Sequence, residues 1–279
     1  MEPDQARIER ERNFWDARTR ETVDGHDHVD VRVHAHDRFD KTVPWLPYVG
    51  LPEQIDCLLH QLGDVEGKSV LDLGTGTGFM ASLLAAKGAQ VDAVDVSDES
   101  LAVAANRARL SGLADKTRFH NMSAESLDFP DESFERVVGV FVLHHLDLAR
   151  GAAEIHRVLR PGGVAAFIET WGSNKLLMAA RRLLPGRFGI DKASSDDEAP
   201  LGQSARQILA DSDFVMVKYL FPNLLFFRML AYIPSARIAP IPRLLTAMDQ
   251  ALFKLPGLRR FSYYCVVTLK KADRPTPAG

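Results

Sequence analysis

The sequence predicts a doubly wound α/β fold, in which helices cover both faces of a mostly parallel sheet. Short apolar segments alternate with helical segments through the middle of the chain, as expected for parallel strands joined by crossover helices. The first apolar segment runs into a glycine-rich turn and then a helix, the position where open α/β sheets bind ligands. The length of 279 residues suits one such domain with additions.

The order of the elements follows from the apolar segments and the residues that flank them. Strands are predicted at 69–73, 90–94, 117–120, 136–141, 164–169, 214–220 and 263–269. Helices are predicted at 53–62, 79–88, 99–110, 176–188 and 204–211. Ser97 is placed to cap the helix that Gly112 ends, and Ser204 with Gln207 should cap the last of these helices.

The composition indicates a globular protein with unevenly distributed charge. Hydrophobic residues make up 46% and charged residues 25% of the chain, which excludes disordered and fibrous classes. The formal net charge of -3 argues against a nucleic-acid partner. From Lys218 to Lys271, however, nine basic residues accompany a single acid, Asp249. This region therefore has a different electrostatic role or environment.

The N-terminal residues and the cysteine content favour a cytoplasmic protein. The first twenty residues are charged and lack the apolar run of a secretory signal. Cys57 and Cys265 are the only cysteines, too few and too far apart for a disulfide framework or a thiolate metal site. We expect a cytoplasmic location.

The strongest functional motif runs from Asp72 to Gly78, with the sequence DLGTGTG. Its glycines allow close approach of the backbone to a ligand, so a nucleotide-like cofactor is predicted here. In a dinucleotide site the third glycine would come one residue later, where this chain has Phe79. Asp95 ends the second strand, where its carboxylate can accept hydrogen bonds from both hydroxyls of a ribose.

Five segments together resemble the class I S-adenosylmethionine (SAM) dependent methyltransferases, especially the ubiquinone-biosynthesis and natural-product types. In chain order they are VLDLGTGTG, VDAVDVS, AESLDFPDESFERVV, FVLHHL and EIHRVLRPGG. The resemblance covers residues 68–169. It implies a seven-stranded Rossmann-like sheet of six parallel strands and an antiparallel last strand, and it implies SAM as the cofactor.

The resemblance also assigns the cofactor-binding residues. The turn after the first strand would bind the methionine part of SAM, through Asp72, Gly74, Thr75, Gly76 and Gly78. The ribose, the adenine and further contacts fall to later turns, with Asp95, Val96, Ser123, Ala124, Glu125, Val140 and Phe141. The family usually has an acid where this chain has Ser123, so either Ser123 or Glu125 must accept from the adenine amino group.

Three residues are candidate catalytic groups. Methyl transfer to an electron-rich atom depends mainly on alignment, whereas a hydroxyl or an acidic carbon benefits from a general base. His144 and His145 follow the fourth strand, and Glu169 ends the fifth strand at the same edge of the sheet. The alternatives are packing for the histidines and fixing a loop for Glu169.

Two further groups of side chains could have either a functional or a purely structural role. The N-terminal region contains two His-x-His pairs, His26 with His28 and His34 with His36. In an extended segment the two histidines of a pair lie on the same face and could bind a metal. A solvated polar lid is the favoured interpretation, and no metal site is predicted. Four aromatic residues are assigned equally to an acceptor pocket or to the core; they are Trp15, Trp45, Tyr48 and Trp171.

Five regions are predicted along the chain. They are an N-terminal helical lid at 1–52, a SAM-binding core at 53–223, an apolar and basic helical insertion at 224–261, the last core strand at 262–271 and a tail at 272–279. The insertion carries Arg228, Arg237 and Arg243 between apolar runs too short to cross a bilayer. We interpret it first as a lid over a lipophilic substrate, with a membrane-surface patch, a dimer interface or a plain helical cap as alternatives.

These features predict a SAM-dependent methyltransferase of natural-product biosynthesis that acts on a small, lipophilic metabolite, with oxygen as the favoured acceptor atom. Methylation of carbon or nitrogen in a quinone, terpenoid, polyketide or peptide is the first alternative. A cyclase or scaffold that keeps SAM structurally, an NAD(P)-dependent oxidoreductase and a membrane-recruited module are the others. The early third glycine disfavours the oxidoreductase, and homodimerisation stays open.

Overall fold

The protein, described here by a computed structural model, folds around one seven-stranded sheet. The structure describes residues 3–23, 31–43, 47–184 and 200–274. The strands are β1 (Ser69–Leu73), β2 (Gln90–Asp95), β3 (Thr117–Asn121), β4 (Phe134–Val140), β5 (Leu159–Thr170), β6 (Met216–Leu220) and β7 (Tyr264–Lys270). Their order across the sheet is β3-β2-β1-β4-β5-β7-β6.

The sheet has the predicted strand directions. Strands β1 to β5 pair in parallel, while β7 pairs antiparallel with both β5 and β6. Six strands therefore run in one direction and the last runs against them, which confirms the predicted Rossmann-like fold. The order reverses between β1 and β4, so a ligand crevice is expected beyond their carboxyl ends.

Helices cover both faces of the sheet. The α-helices are α1 (Pro3–Val23), α2 (Leu51–Leu62), α3 (Phe79–Ala86), α4 (Asp98–Leu110), α5 (Leu148–Val158), α6 (Lys175–Leu183), α7 (Gln203–Ala210) and α8 (Ile241–Phe253). Short 3-10 helices occupy Leu143–His145, Phe227–Tyr232, Pro234–Arg237 and Pro256–Phe261. None of the helices in the described ranges combines the length and apolar character needed to cross a membrane.

Two apolar cores lie on opposite faces of the sheet. In β4, the neighbouring residues Val137 and Val138 are fully buried in different cores, because successive strand side chains point to opposite faces. Ile155 of α5 belongs to the first core, and Leu58 of α2 belongs to the second. Burial on both faces explains why the strands appear in the sequence as continuous apolar runs.

Some local predictions are confirmed and others are wrong. Ser97 caps α4, because its Oγ accepts from Ser100 N at 3.0 Å. The predicted Ser204 cap is wrong, since α7 begins at Gln203 after Gly202 and has no side-chain cap. Leu201 N donates to Thr170 O at 2.9 Å, and this pairing fixes the chain just before the helix.

Strand β5 begins earlier than predicted because it contains a bulge. Phe134 pairs with Leu159 and Arg136 pairs with Val164, so the register shifts across residues 160–163. The Pro-Gly-Gly sequence there looks like a strand boundary, but pairing continues on both sides of it. The end of the predicted helix 176–188 lies outside the described residues.

The insertion is attached to the core by a buried arginine. Arg228, one of the three arginines named for the insertion, is only 7% exposed. Its guanidinium pairs with Glu53 at 2.7 Å and donates to the carbonyl oxygens of Tyr48 and Pro47 at 3.1 and 2.8 Å. These long-range contacts bury Arg228, so this arginine is not available for a membrane surface.

Candidate cofactor and active site

A cavity of about 460 Å³ lies at the carboxyl ends of β1 to β4. Its volume is typical of small-molecule sites. The residues assigned to the cofactor that line it are Asp72, Gly74, Thr75, Gly76, Asp95, Val96, Ser123, Ala124, Glu125, Val140 and Phe141. The assignments therefore converge on one space, although they come from the carboxyl ends of four different strands, β1 to β4.

The glycine turn leaves one side of the cavity open. Gly74, Gly76 and Gly78 all adopt positive φ, a conformation that favours glycine. A Cβ on Gly76 would meet nothing within 4 Å, so the backbone is accessible there. A Cβ on Gly78 would lie 2.6 Å from that of Ala104. Gly78, which does not line the cavity, thus allows α3 and α4 to pack closely.

Asp72 is a buried carboxylate beside the turn. Its Oδ2 accepts from Thr75 Oγ1 at 2.7 Å. Burial and, less strongly, the nearby charge of Asp95 raise the pKa of Asp72 to about 7, although hydrogen bonds from Thr75 and the Ala81 amide partly oppose this shift. A cation bound in the cavity would favour the ionised form.

Asp95 ties the turn after β1 to the turn after β2. Its Oδ2 accepts from Gly76 N at 2.8 Å, and its Oδ1 accepts from Ser97 N at 2.9 Å. Burial raises the pKa of Asp95, whereas these amide bonds lower it. Each carboxylate oxygen has a second lone pair, so Asp95 can accept from two further hydroxyl groups.

Glu125 has an unused hydrogen-bond acceptor. Its Oε1 accepts from Asp147 N at 2.8 Å and pairs with Arg7, but its Oε2 is buried without a hydrogen-bond partner among the described residues. Ser123 Oγ accepts from Glu125 N at 3.2 Å. A buried oxygen without a hydrogen bond is energetically unfavourable. Glu125 Oε2 is therefore suited to accept a hydrogen bond from a ligand.

The three candidate catalytic residues occupy different positions. Glu169 is fully buried, and its Oε1 accepts from Val142 N and Leu143 N at 2.9 and 2.7 Å. Its Oε2 lies 2.6 Å from His144 Nδ1. Neither Glu169 nor His144 lines the cavity, whereas His145 does. The first two thus hold the loop after β4, and His145 reaches the site.

Helix α1 covers the cavity through polar contacts. Arg7 Nη1 donates to His145 O at 2.6 Å, and Arg12 Nε donates to Val96 O at 2.9 Å. Glu11 Oε2 lies 3.2 Å from His145 Nδ1, and Trp15 also lines the cavity. Sequence reasoning did not assign Arg7 or Glu11, because α1 is charged all round and shows no distinct binding face.

The rest of the cavity wall is largely apolar. It includes Ile8, Val43, Leu51, Ile55, Phe79 and Met80. Phe141, at the cavity edge, has a φ of 58°, which is strained for a bulky residue. Its amide donates to Ile168 O at 2.8 Å, and its ring lies 5.0 Å from that of Tyr264. Contrary to the lid interpretation, the described residues of the insertion contribute nothing to this wall.

The remaining candidates lie elsewhere. Trp171 is a core residue whose Nε1 donates to Arg260 O at 2.9 Å, and Tyr48 is 38% exposed. The rings of His34 and His36 stack at 5.6 Å. His26, His28 and Trp45 fall outside the described residues. Within the described ranges, no group of three or more His, Cys, Asp or Glu is arranged to hold a metal.

Comparison with known proteins identifies the family. A family described as "Methyltransferase domain" matches residues 71–167. The demethylmenaquinone methyltransferase of Chlorobaculum tepidum is 33% identical over 177 residues, which cover 57% of this chain and 70% of that protein. This chain belongs to the SAM-dependent methyltransferases. Its cofactor is SAM, as the resemblance implied.

Other relatives of this methyltransferase extend the comparison. GfsG of Streptomyces halstedii is 35% identical over 172 residues, covering 57% of the chain and 61% of GfsG. Matches to two demethylmenaquinone methyltransferases, of Chlorobaculum parvum and Clavibacter sepedonicus, span 43% and 42% of those proteins. The chain thus spans less than two thirds of the length of these three relatives.

Solved structures share the fold of this methyltransferase. The [4+2]-cyclase SpnF has a TM-score of 0.58 at 19% identity, with 93% of each chain covered. The geranyl diphosphate C-methyltransferase of Streptomyces coelicolor A3(2) has a TM-score of 0.57 at 16% identity, with 96% of this chain and 98% of that chain covered. At these identities the likeness concerns the fold alone.

Proposed function

We propose that this protein transfers the methyl group of SAM to a carbon atom of a small, apolar acceptor. The observation that carries the proposal is the set of three acidic side chains around one cavity, Asp72, Asp95 and Glu125. They complement the three groups of SAM that donate hydrogen bonds, which are the ammonium group, the ribose hydroxyls and the adenine amino group. SAM supplies an electrophilic methyl group on its sulfonium.

Each carboxylate has a distinct proposed role. Asp72, buried beside the glycine turn, would orient the turn and favour the ammonium group. Asp95 would accept from the ribose hydroxyls with its remaining lone pairs. The unpartnered Oε2 of Glu125 supports Glu125 over Ser123 as the acceptor for the adenine amino group. The open side of Gly76 leaves room for the ligand next to the backbone.

The acceptor is inferred from the apolar wall and the relatives. Ile8, Val43, Leu51 and Ile55 favour an apolar molecule. Sequence reasoning favoured methylation of oxygen, but the names of the relatives support carbon. A C-methyltransferase of ubiquinone and menaquinone biosynthesis in Marinomonas sp. is 29% identical over 158 residues, 53% of this chain and 63% of that protein. We therefore infer a quinol-type ring as the acceptor.

His145 is the proposed general base. A ring carbon becomes more nucleophilic when a neighbouring hydroxyl loses its proton. Of the three candidate catalytic residues, His145 lines the cavity, and Glu11 beside its Nδ1 would orient the ring. Glu169 and His144 would act as positioning residues for the same loop.

Binding and product analysis test the proposal. Isothermal titration should detect binding of S-adenosylhomocysteine (SAH) and none of NADH, and the reverse result would refute the cofactor assignment. Labelled SAM should then methylate a naphthoquinol, with NMR locating the new methyl group on carbon. A methyl group on oxygen would refute the proposed acceptor atom. Labelled SAM that is bound without any labelled product from quinols, catechols or a cell extract would favour a structural use of the cofactor.

A further inference from the structure

The outward face of α8 is unusually apolar for a solvated helix. Ile241, Leu244, Ala247 and Ala251 are all exposed and recur every three or four residues, so they form one stripe. Leu255 follows two residues after the end of α8. Leu244 is 59% exposed and Leu255 is 53% exposed, while Leu245 of the opposite face is buried.

Within residues 218–271, the exposed charged side chains are cations and none is an acid. Arg243, Lys254, Arg259 and Arg260 are exposed beside it. The only acid from residue 218 to residue 271, Asp249, is 3% exposed. Its carboxylate accepts from the amides of residues 226 to 228, so it caps the preceding 3-10 helix. The basic excess found in the sequence is therefore not balanced by an exposed acid of the same segment.

Exposed apolar side chains continue beyond the insertion. Asn174 Nδ2 donates to Phe261 O at 2.8 Å, which joins the start of α6 to the last 3-10 helix. Phe261 is 36% exposed, and Leu176 of α6, two residues from Asn174, is 66% exposed. The apolar and basic surface thus extends over more than one element.

We propose that this α8 surface, formed by residues 241–261, lies on an anionic lipid bilayer. Leucine and isoleucine side chains would enter the boundary between headgroups and acyl chains, and the cations would contact anionic headgroups. A symmetric dimer fits less well, because a two-fold interface brings together two copies of the same positively charged surface. The proposal goes beyond methyl transfer and does not depend on it.

Vesicle flotation of the full chain tests this proposal. The protein should float with phosphatidylcholine vesicles that contain phosphatidylglycerol, less at high salt, and remain unbound with phosphatidylcholine alone. Each Lys or Arg near an anionic surface strengthens binding by about fivefold. A variant with Arg243, Lys254, Arg259 and Arg260 all changed to Gln should therefore partition roughly three orders of magnitude more weakly. Leu244→Ser with Leu255→Ser should weaken it by about tenfold or more.

A matched control uses exposed apolar residues on other elements. Leu110 and Val215 are 43% and 64% exposed, and changing both to Ser should leave flotation unchanged. Unchanged SAH affinity and Tm would show that every variant is folded. The proposal would be overturned if the wild-type protein did not bind anionic vesicles, or if the cation and leucine variants floated as well as the wild type. So would a dimer, measured by light scattering, that Leu244→Ser with Leu255→Ser dissociates while vesicle binding persists.

Discussion

Glu125→Gln tests how the adenine ring is recognised. Glutamine keeps the size of the side chain, and its carbonyl oxygen can still accept from Asp147 N. Its amide nitrogen, however, takes the place of Oε2, the buried oxygen that has no partner among the described residues. The adenine amino group is a donor, so the substitution sets a donor against a donor.

The expected magnitude follows from the loss of one charge-assisted hydrogen bond. Such a bond contributes about 1.5 to 3 kcal/mol, so SAH should bind roughly 10 to 150 times more weakly to the variant. Stability of the unligated protein should change little. Oε2 has no partner to lose, and the contact of Oε1 with Arg7, which is 26% exposed, is partly screened by solvent.

A pair of ligands makes the test specific. Isothermal titration would compare SAH with S-inosylhomocysteine, whose base carries a carbonyl oxygen in place of the amino group. Glu125→Gln should bind the inosyl compound relatively better, because its amide can donate to that oxygen. Ser123→Ala serves as the control and should retain an affinity near that of the wild type. An unchanged ratio of the two affinities in Glu125→Gln, or an equal loss in Ser123→Ala, would refute the reasoning.

Three further predictions concern the other polar residues of the site. Asp95→Ala should weaken SAH binding by about 1.5 to 3 kcal/mol. An unchanged affinity in isothermal titration would show that the ribose does not bind at Asp95. Burial raises the pKa of Asp72 to about 7 from its ordinary 3.8, so the folded protein keeps a proton that the unfolded chain releases, and stability falls as pH rises from about 4 to 7. The Tm of Asp72→Asn should therefore exceed that of the wild type by more at about pH 8 than at about pH 5. An equal difference at both pH values would contradict the raised pKa as its cause. His145→Ala should lower kcat by about 100-fold or more with SAH binding retained, whereas His144→Ala should mainly lower the free energy of unfolding; similar kcat losses in both would argue against His145 as the base.

The sequence predicted the sheet well because its strands are specified locally. β1 occupies the predicted residues, since its apolar run is bounded by Lys68 and Gly74. Predictions were wrong where pairing partners decide the structure. Leu159 begins β5 because Phe134 pairs with it across a bulge, and Gly202 precedes α7 because Leu201 is held by Thr170. Neither contact leaves a local pattern.

The same distinction applies to the site. Asp95 and Glu125 were found because they follow strands in recognisable segments. Arg7 pairs with Glu125 across 118 residues, and Arg228 bonds to Pro47 across 181 residues. Arginine in such positions looks in the sequence like any solvated residue. Only the folded chain distinguishes the arginine that contacts the cavity from the one that anchors the insertion.

The left-handed backbone of Phe141 sets a limit on how this protein can be improved. Replacing it by glycine or asparagine would relax the backbone by about 1 kcal/mol, yet it would also remove the ring that rests on Tyr264 at the rim of the cavity. The ring also packs against two apolar clusters, and the loss of such packing costs more than the backbone relief returns. A library screened for heat resistance should therefore keep a bulky residue at position 141 in spite of its backbone.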